Sequence, residues 1–149
     1  PLLDAAPVPV LAAPGCFHRI LPQLSGAWSV SGTASLEVAL QGVPTVVVYR
    51  IRSALGAWYA KHGLTIPQVA GANLLAGRAL LPECVGRDCP PETLAARLLE
   101  LLQPARATAL RQDLLRLREA HAGPGTALRA ALAVEAAAHG RCTGGAFIR

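Results

Sequence analysis

The chain has 149 residues, of which 52% are hydrophobic and 15% charged, and its formal net charge is +5. This composition excludes a disordered chain, and the length suits one domain with a real core. No apolar run reaches the roughly 18 residues of a membrane span, and no signal-peptide pattern opens the chain. We expect a piece of a longer protein, because the sequence begins at Pro1 and contains no Met.

Neither the basic residues nor the sulfur and imidazole side chains form a recognisable binding pattern. The arginines are dispersed and only two Trp, two Tyr and two Phe are present for base stacking, so we expect no nucleic-acid binding. The four Cys include no C-x-x-C pair and the four His are scattered. Because zinc ligands recur at short regular spacings, we expect no metal site and no cofactor.

The first part of the chain alternates between predicted strands and predicted helices. Such alternation is typical of βαβ units and a parallel sheet. The run of β-branched residues at 45–49 favours a buried parallel strand. The predicted strands cover residues 8–12, 27–30 and 45–49, and the predicted helices cover 17–24, 34–41 and 53–61.

Farther along the chain, helices dominate. Residues 66–70 predict a short strand, followed by a loop that holds Asn73 and Arg78. Helices are predicted at 91–102, at 105–120 with an apolar stripe of leucines, and from Thr126 as N-cap to residue 139. We therefore expect an α/β, Rossmann-like domain over 1–103 and C-terminal helices over 104–149.

The most informative motif lies between the second predicted strand and its helix. Ser31, Gly32 and Thr33 form a small polar turn ahead of a helix N-terminus. Glycine gives the turn backbone freedom, while the free N–H groups and positive dipole end of the helix attract an anion. Glu37 follows Thr33 by one helical turn, so it can face the same ligand. A phosphate site beside an acid that binds ribose hydroxyls indicates a nucleotide.

Each of these residues also has a simpler interpretation. The Ser31 to Thr33 turn could be only a capped helix start, and Glu37 could be a solvated helix residue. Arg78 could be a surface charge after a glycine turn. The residues taken one by one leave these interpretations open.

Three blocks in series resemble the C-terminal part of the lipid-A-disaccharide synthase family. They are Ser31 to Glu37 with Gly42-Val43-Pro44, then residues 45–50, then Asn73 to Arg78 followed by Pro82-Glu83. The resemblance runs from about residue 8 to residue 138. It implies one Rossmann-like half of a two-domain GT-B glycosyltransferase.

The resemblance also implies a reaction and a location. The family transfers 2,3-diacylglucosamine from UDP-2,3-diacylglucosamine to 2,3-diacylglucosamine 1-phosphate, which yields lipid A disaccharide and UDP. It implies a peripheral enzyme on the cytoplasmic face of a Gram-negative inner membrane. No divalent metal is expected, because helix dipoles and basic residues stabilise the charge.

Residue roles follow from the same resemblance. Ser31, Gly32 and Thr33 would hold the diphosphate, and Glu37 would accept hydrogen bonds from the ribose. Asn73 and Arg78 would lie at the nucleotide-sugar, with Arg78 on a phosphate oxygen, and Glu83 would lie nearby.

This chain departs from the family in having Gly26-Ala27 and Gly71-Ala72 where an acid and Leu-Pro are usual, which puts the loop conformation in question. The resemblance implies that the acceptor site and the general base lie in an N-terminal domain outside this chain. We therefore name no catalytic residue and expect weak UDP binding without turnover.

Two alternatives remain at this point. One is another GT-B UDP-sugar transferase, such as the peptidoglycan N-acetylglucosaminyl type. The other is a non-catalytic remnant or interaction module, in which the late helices pack on a partner. A homodimer through these helices is also left open.

Overall fold

The computed structural model describes residues 7–50, 68–86, 89–121, 123 and 125–139. These residues contain three strands and six α-helices, with one 3₁₀ turn at Leu21–Gln23. The strands are β1 (Ala27–Val30), β2 (Thr45–Arg50) and β3 (Glu83–Gly86). The helices are α1 (Phe17–Ile20), α2 (Thr33–Leu40), α3 (Gly71–Ala76), α4 (Pro91–Leu101), α5 (Pro104–His121) and α6 (Thr126–Ala138).

The strands form a parallel sheet in the order β1-β2-β3. Ala27 pairs with Thr45 at the start of β1, and Val47 pairs with Glu83 at the start of β3. Parallel pairing brings the carboxyl ends of β1 and β2 to one edge of the sheet, where α/β proteins bind ligands. The expected α/β class with a helical C-terminal stretch is confirmed.

Helices cover both faces of this sheet. Side chains alternate between the faces of a strand, so Trp28 and Val46 share one face while Val47 and Glu83 share the other. On the first face, Trp28 Nε1 donates a hydrogen bond to the Leu94 carbonyl of α4 at 3.1 Å. On the second face, α2 and α3 pack against each other. The middle of the sheet is thereby sealed, and Val46 and Val47 are fully buried.

The predicted leucine stripe lies on α5 and faces the core. Leu110, Leu114 and Leu117 are all buried, and Leu114 has no exposed surface. Spacings of four and three residues place the three side chains on one helix face, as the sequence predicted. Gly42 ends α2 with a φ of +76° and lies against the Leu115 side chain of α5. The end of α2 therefore packs against α5.

The chain divides into two compact units, Pro1–Leu117 and Arg118–Arg149. In the second, Thr126 does not cap α6 as predicted. Gly125 occupies the N-cap position in a left-handed conformation, and the Thr126 hydroxyl donates instead to the Gly123 carbonyl at 2.8 Å. The positive φ that this turn requires favours glycine over threonine at the cap.

Three further sequence predictions are wrong among the described residues. Residues 8–12 form no strand, since they pair with no strand among the described residues and Pro9 lacks a backbone donor. Asn73 lies within α3 rather than in a loop, and residues 68–70 before it form no strand. The predicted helix at 53–61 lies outside the described residues. No described helix is long and apolar enough to cross a membrane.

Candidate nucleotide-binding site

The turn after β1 carries the residues in which the sequence predicts an anion site. The Ser31 N–H donates to the Val48 carbonyl of β2 at 3.0 Å, which extends the ladder by one residue beyond β1. Gly32 then turns the chain, and α2 begins at Thr33. We call Ser31, Gly32, Thr33 and the first turn of α2 the anion cradle. It lies at the carboxyl edge of the sheet, with the positive end of the α2 dipole directed at it.

Gly32 is required for the conformation of this turn. Its φ of 148° and ψ of −166° fall in a region that only glycine occupies readily. A Cβ at this position would meet no heavy atom within 4 Å, so space does not limit the residue. The Gly32 carbonyl accepts hydrogen bonds from the Leu36 N–H and from the Ser35 hydroxyl, which fixes the turn to α2.

Glu37 lies one turn into α2 and remains accessible. Its side chain is 46% exposed, and Oε2 lies 3.7 Å from Nδ1 of His18 on α1. The His18 side chain is 80% exposed. Because both groups are solvated, their mutual attraction is weak, and the Glu37 carboxylate can accept hydrogen bonds from a ligand.

Asn73, by contrast, is completely buried in a local hydrogen-bond network. Its Oδ1 accepts the N–H groups of Leu80 and Leu81, at 2.9 and 2.8 Å. Its Nδ2 donates to the Leu81 carbonyl and to Glu83 Oε1, both at 2.8 Å. One amide therefore joins α3 to the segment that leads into β3.

Glu83 completes this network at the N-terminus of α3. Its Oε2 accepts the Val69 N–H and its Oε1 accepts the Ala70 N–H, both at 2.9 Å. A carboxylate at this position satisfies N–H groups that lack partners within the helix and complements the helix dipole. The Arg97 guanidinium of α4 donates to the Glu83 carbonyl, which anchors the start of β3.

The network reaches the anion cradle through one residue. The Ser31 hydroxyl donates to the Val69 carbonyl at 2.7 Å, while the Val69 N–H is held by Glu83. The structure thus connects Ser31, Asn73 and Glu83, and the backbone connects Ser31 to Gly32, Thr33 and Glu37.

Arg78 points to a different partner. Its Nη2 lies 2.8 Å from Asp113 Oδ2 on α5, and the Arg78 side chain is 60% exposed. Asp113 also accepts from Arg116 at 3.3 Å, so it is shared between two arginines. Arg78 is joined to the cradle by no hydrogen bond among the described residues.

Comparison with known proteins identifies the family. A family model described as lipid-A-disaccharide synthetase matches residues 19–137. The chain belongs to the lipid-A-disaccharide synthetase family. The match covers all seven predicted site residues, and the resemblance inferred from the three sequence blocks is confirmed.

Individual members of the lipid-A-disaccharide synthetase family are similar over most of this chain. A lipid-A-disaccharide synthase of Syntrophus aciditrophicus is 35% identical over 132 residues, which are 88% of this chain and 34% of that protein. A lipid-A-disaccharide synthase of Trichlorobacter lovleyi is 31% identical over 132 residues, again 88% of this chain and 34% of that protein. One of Pseudomonas syringae pv. syringae is 39% identical over 70% of this chain and 27% of that protein. The chain thus spans about a third or less of these relatives' length.

Sequence reasoning missed two side chains of this family member. His18 beside Glu37 and Asp113 beside Arg78 are each brought in by tertiary packing, 19 and 35 residues from their partners. The sequence indicated these pairs only through a side chain of opposite charge on another predicted helix. Such signals are common on protein surfaces, so neither residue stood out.

Proposed function

We propose that this chain is the donor-binding part of a lipid-A-disaccharide synthase and that it holds the UDP group of the sugar donor. The observation that carries the proposal is the Gly32 turn. It opens the N-terminus of α2 at the carboxyl edge of a parallel sheet, with open space beside it. Backbone N–H groups and the helix dipole at such a position bind phosphate oxygens without a metal ion.

In this proposal the diphosphate and the ribose of the nucleotide bind to different groups of the protein. Ser31, Gly32 and Thr33 form the turn that holds the diphosphate. Backbone N–H groups at the start of α2 donate to it, and the positive dipole end compensates its charge. Glu37 accepts hydrogen bonds from the ribose hydroxyls, one helical turn away. Its accessible carboxylate supports this role, since a hydroxyl can donate to it without breaking a buried contact.

Arg78 is proposed to contact a phosphate oxygen. The exposed guanidinium can leave Asp113 at little cost, because exposed ion pairs contribute about 0–1 kcal/mol. A guanidinium binds phosphate through charge-assisted hydrogen bonds, which are stronger than neutral ones. Asn73 and Glu83 are proposed to support the same site near the nucleotide-sugar from within the protein, because Asn73 has no exposed surface and both side chains are held by internal hydrogen bonds.

The reaction proposed for the whole protein is a glycosyl transfer in lipid A biosynthesis. The donor is UDP-2,3-diacylglucosamine, the acceptor is 2,3-diacylglucosamine 1-phosphate, and the products are lipid A disaccharide and UDP. Residues 1–103 bind the donor and residues 104–149 supply the C-terminal helices. The relatives are named lipid-A-disaccharide synthase, which supports lipid A disaccharide as the product. The acceptor site and the general base are assigned to the part of the relatives' length that this chain does not span.

We further propose that the protein acts at the cytoplasmic face of a Gram-negative inner membrane as a peripheral enzyme. Both sugars carry acyl chains, so the reaction requires access to a lipid surface. The net charge of +5 favours an anionic lipid surface.

Nucleotide binding is tested by titrating UDP into the isotope-labelled 149-residue chain. We expect the amide signals of residues 31–37 to shift progressively with UDP. Uridine, which lacks the phosphates, should shift the Ser31 to Thr33 signals much less. Unchanged signals at 31–37 with millimolar UDP would overturn the donor-site assignment.

Turnover is tested in a chimera, since the chain covers part of its relatives. The matched 132 residues of the Syntrophus aciditrophicus protein are replaced by the corresponding residues of this chain. We expect disaccharide to form from the two diacyl substrates. A folded chimera that binds UDP but makes no disaccharide would favour a non-catalytic remnant.

A further inference from the structure

We propose that Glu83 is a positioning residue for the anion cradle: its carboxylate fixes the Val69–Ala70 backbone, which in turn fixes the Ser31 hydroxyl. This inference rests on the proposed function, because it assigns a role within that site. It goes beyond the family resemblance, which placed Glu83 only near the nucleotide-sugar.

The Glu83 carboxylate is fully engaged within the protein. Its two oxygens accept three hydrogen bonds of 2.8–2.9 Å, from the N–H groups of Val69 and Ala70 and from the buried Asn73 amide. A carboxylate held by three donors has little capacity left for a ligand. Its negative charge also repels a diphosphate. Both features favour a role in placing the backbone over direct contact with the nucleotide.

Ser31 is the residue of the anion cradle that contacts the backbone held by Glu83. A serine hydroxyl has one proton, and here the proton is donated to the Val69 carbonyl at 2.7 Å. The Ser31 hydroxyl therefore has only lone pairs left, and the Ser31 N–H is bound to the Val48 carbonyl. The backbone N–H groups at the start of α2 remain the donors for phosphate. The Ser31–Val69 bond ties the turn to the segment that Glu83 holds.

Asn73 sets the position of Glu83 from the other side. It binds one Glu83 oxygen through Nδ2 and two backbone N–H groups through Oδ1. Only a side chain that both donates and accepts can make this set of bonds, which explains an asparagine at a position without any exposed surface.

Glu83→Gln tests the inference with a nearly isosteric change. All three groups on the carboxylate are donors, so the new amide NH₂ must face at least one N–H in either orientation. Glu119→Gln on α5 is the matched control, because Glu119 is an exposed glutamate remote in sequence from the network. The first readout is the amide spectrum of the nucleotide-free chain. We expect Glu83→Gln to shift the signals of Ser31 to Thr33, and Glu119→Gln to leave them unchanged.

The second readout is UDP affinity in a double-mutant cycle with Ser31→Ala. Each single change should lower the affinity about tenfold, the size of one charged or well-placed hydrogen bond. Because Glu83 acts through Ser31, the double variant should bind UDP within about twofold of the weaker single variant. A loss close to the product of the two single losses would show that Glu83 acts independently of Ser31 and would overturn the inference.

The outcomes separate this inference from the proposed function. If the unsubstituted chain does not bind UDP, the donor site fails, while the nucleotide-free shift of Ser31 to Thr33 still tests the positioning link. If UDP binds equally to the unsubstituted chain and Glu83→Gln, the donor site stands and the inference fails. Should Glu83→Gln not fold, Ser31→Ala is measured without nucleotide, and unchanged Val69 and Ala70 signals would contradict the link.

Discussion

His18 Nδ1 lies 3.7 Å from Glu37 Oε2, so the acid at the proposed ribose site has a basic neighbour from the preceding helix. Both side chains are largely solvated, which leaves the Glu37 oxygens available. This contact leaves the Glu37 carboxylate accessible, so it can accept hydrogen bonds from a ligand.

Glu37→Gln should weaken UDP binding about tenfold, because an amide accepts weaker hydrogen bonds from ribose hydroxyls than a carboxylate. The free energy of unfolding should change by less than about 0.5 kcal/mol, as expected for an exposed position. An NMR titration with UDP gives the affinity and urea denaturation gives the stability. His18→Gln keeps the carboxylate and should bind UDP within about twofold of the unsubstituted chain. Equal losses in both variants would mean that the pair, rather than Glu37, binds the ribose.

Gly32→Ala should destabilise the chain by about 1–3 kcal/mol, the range for a residue forced into a sparsely populated backbone region. The cradle should also change shape, so UDP affinity should fall together with stability. Gly125→Ala is the matched control, because Gly125 has a φ of +83° outside the cradle. It should lose stability without losing UDP affinity. A Gly32→Ala chain with unchanged UDP binding would contradict the role of the turn.

Arg78→Gln should reduce UDP affinity about tenfold while uridine affinity stays within twofold, because the guanidinium binds phosphate and not the nucleoside. Asp113→Asn removes the competing carboxylate and should raise UDP affinity slightly. Arg116→Gln is the control, since Arg116 shares Asp113 and is 72% exposed. Comparable losses for UDP and uridine in Arg78→Gln would exclude the phosphate contact.

Leu114→Ala should lower the free energy of unfolding by about 2–5 kcal/mol, because it removes a fully buried side chain from the α5 stripe. Leu99 on α4 is 67% exposed, and Leu99→Ala should cost much less. Chemical denaturation of both variants measures the difference. Similar losses at the two positions would show that the stripe does not form the core contact described.

Local sequence patterns predicted the elements whose signals lie within them. The bounds of β1, the start of β2 and the start of α4 at Pro91 agree with the structure. The strand predicted at 8–12 was wrong because a run of apolar residues does not supply a hydrogen-bonding partner. The sequence of residues 8–12 does not show whether a neighbouring strand is available to pair with them.

The local structure of the proposed site was predictable only where its residues are continuous in the sequence. Ser31 to Glu37 lie together on one strand-turn-helix unit, so spacing rules predicted the turn and the helix that carry them. Asn73 was placed in a loop because α3 has no local capping residue. The N-terminus of α3 is capped by the Glu83 carboxylate. Glu83 comes 13 residues after Ala70, too far along the chain for a rule based on neighbouring residues to identify it.

Chirality, rather than size, restricts position 32. The mirror image of its φ of 148° and ψ of −166° reverses both signs and lies in the ordinary extended region. A D-amino acid at this position would therefore have the backbone conformation of a normal strand residue, while every L-residue with a Cβ is strained. Chemical ligation with D-alanine at 32 would thus keep the turn and place a methyl group at its corner, which offers a way to probe the cradle without altering its backbone.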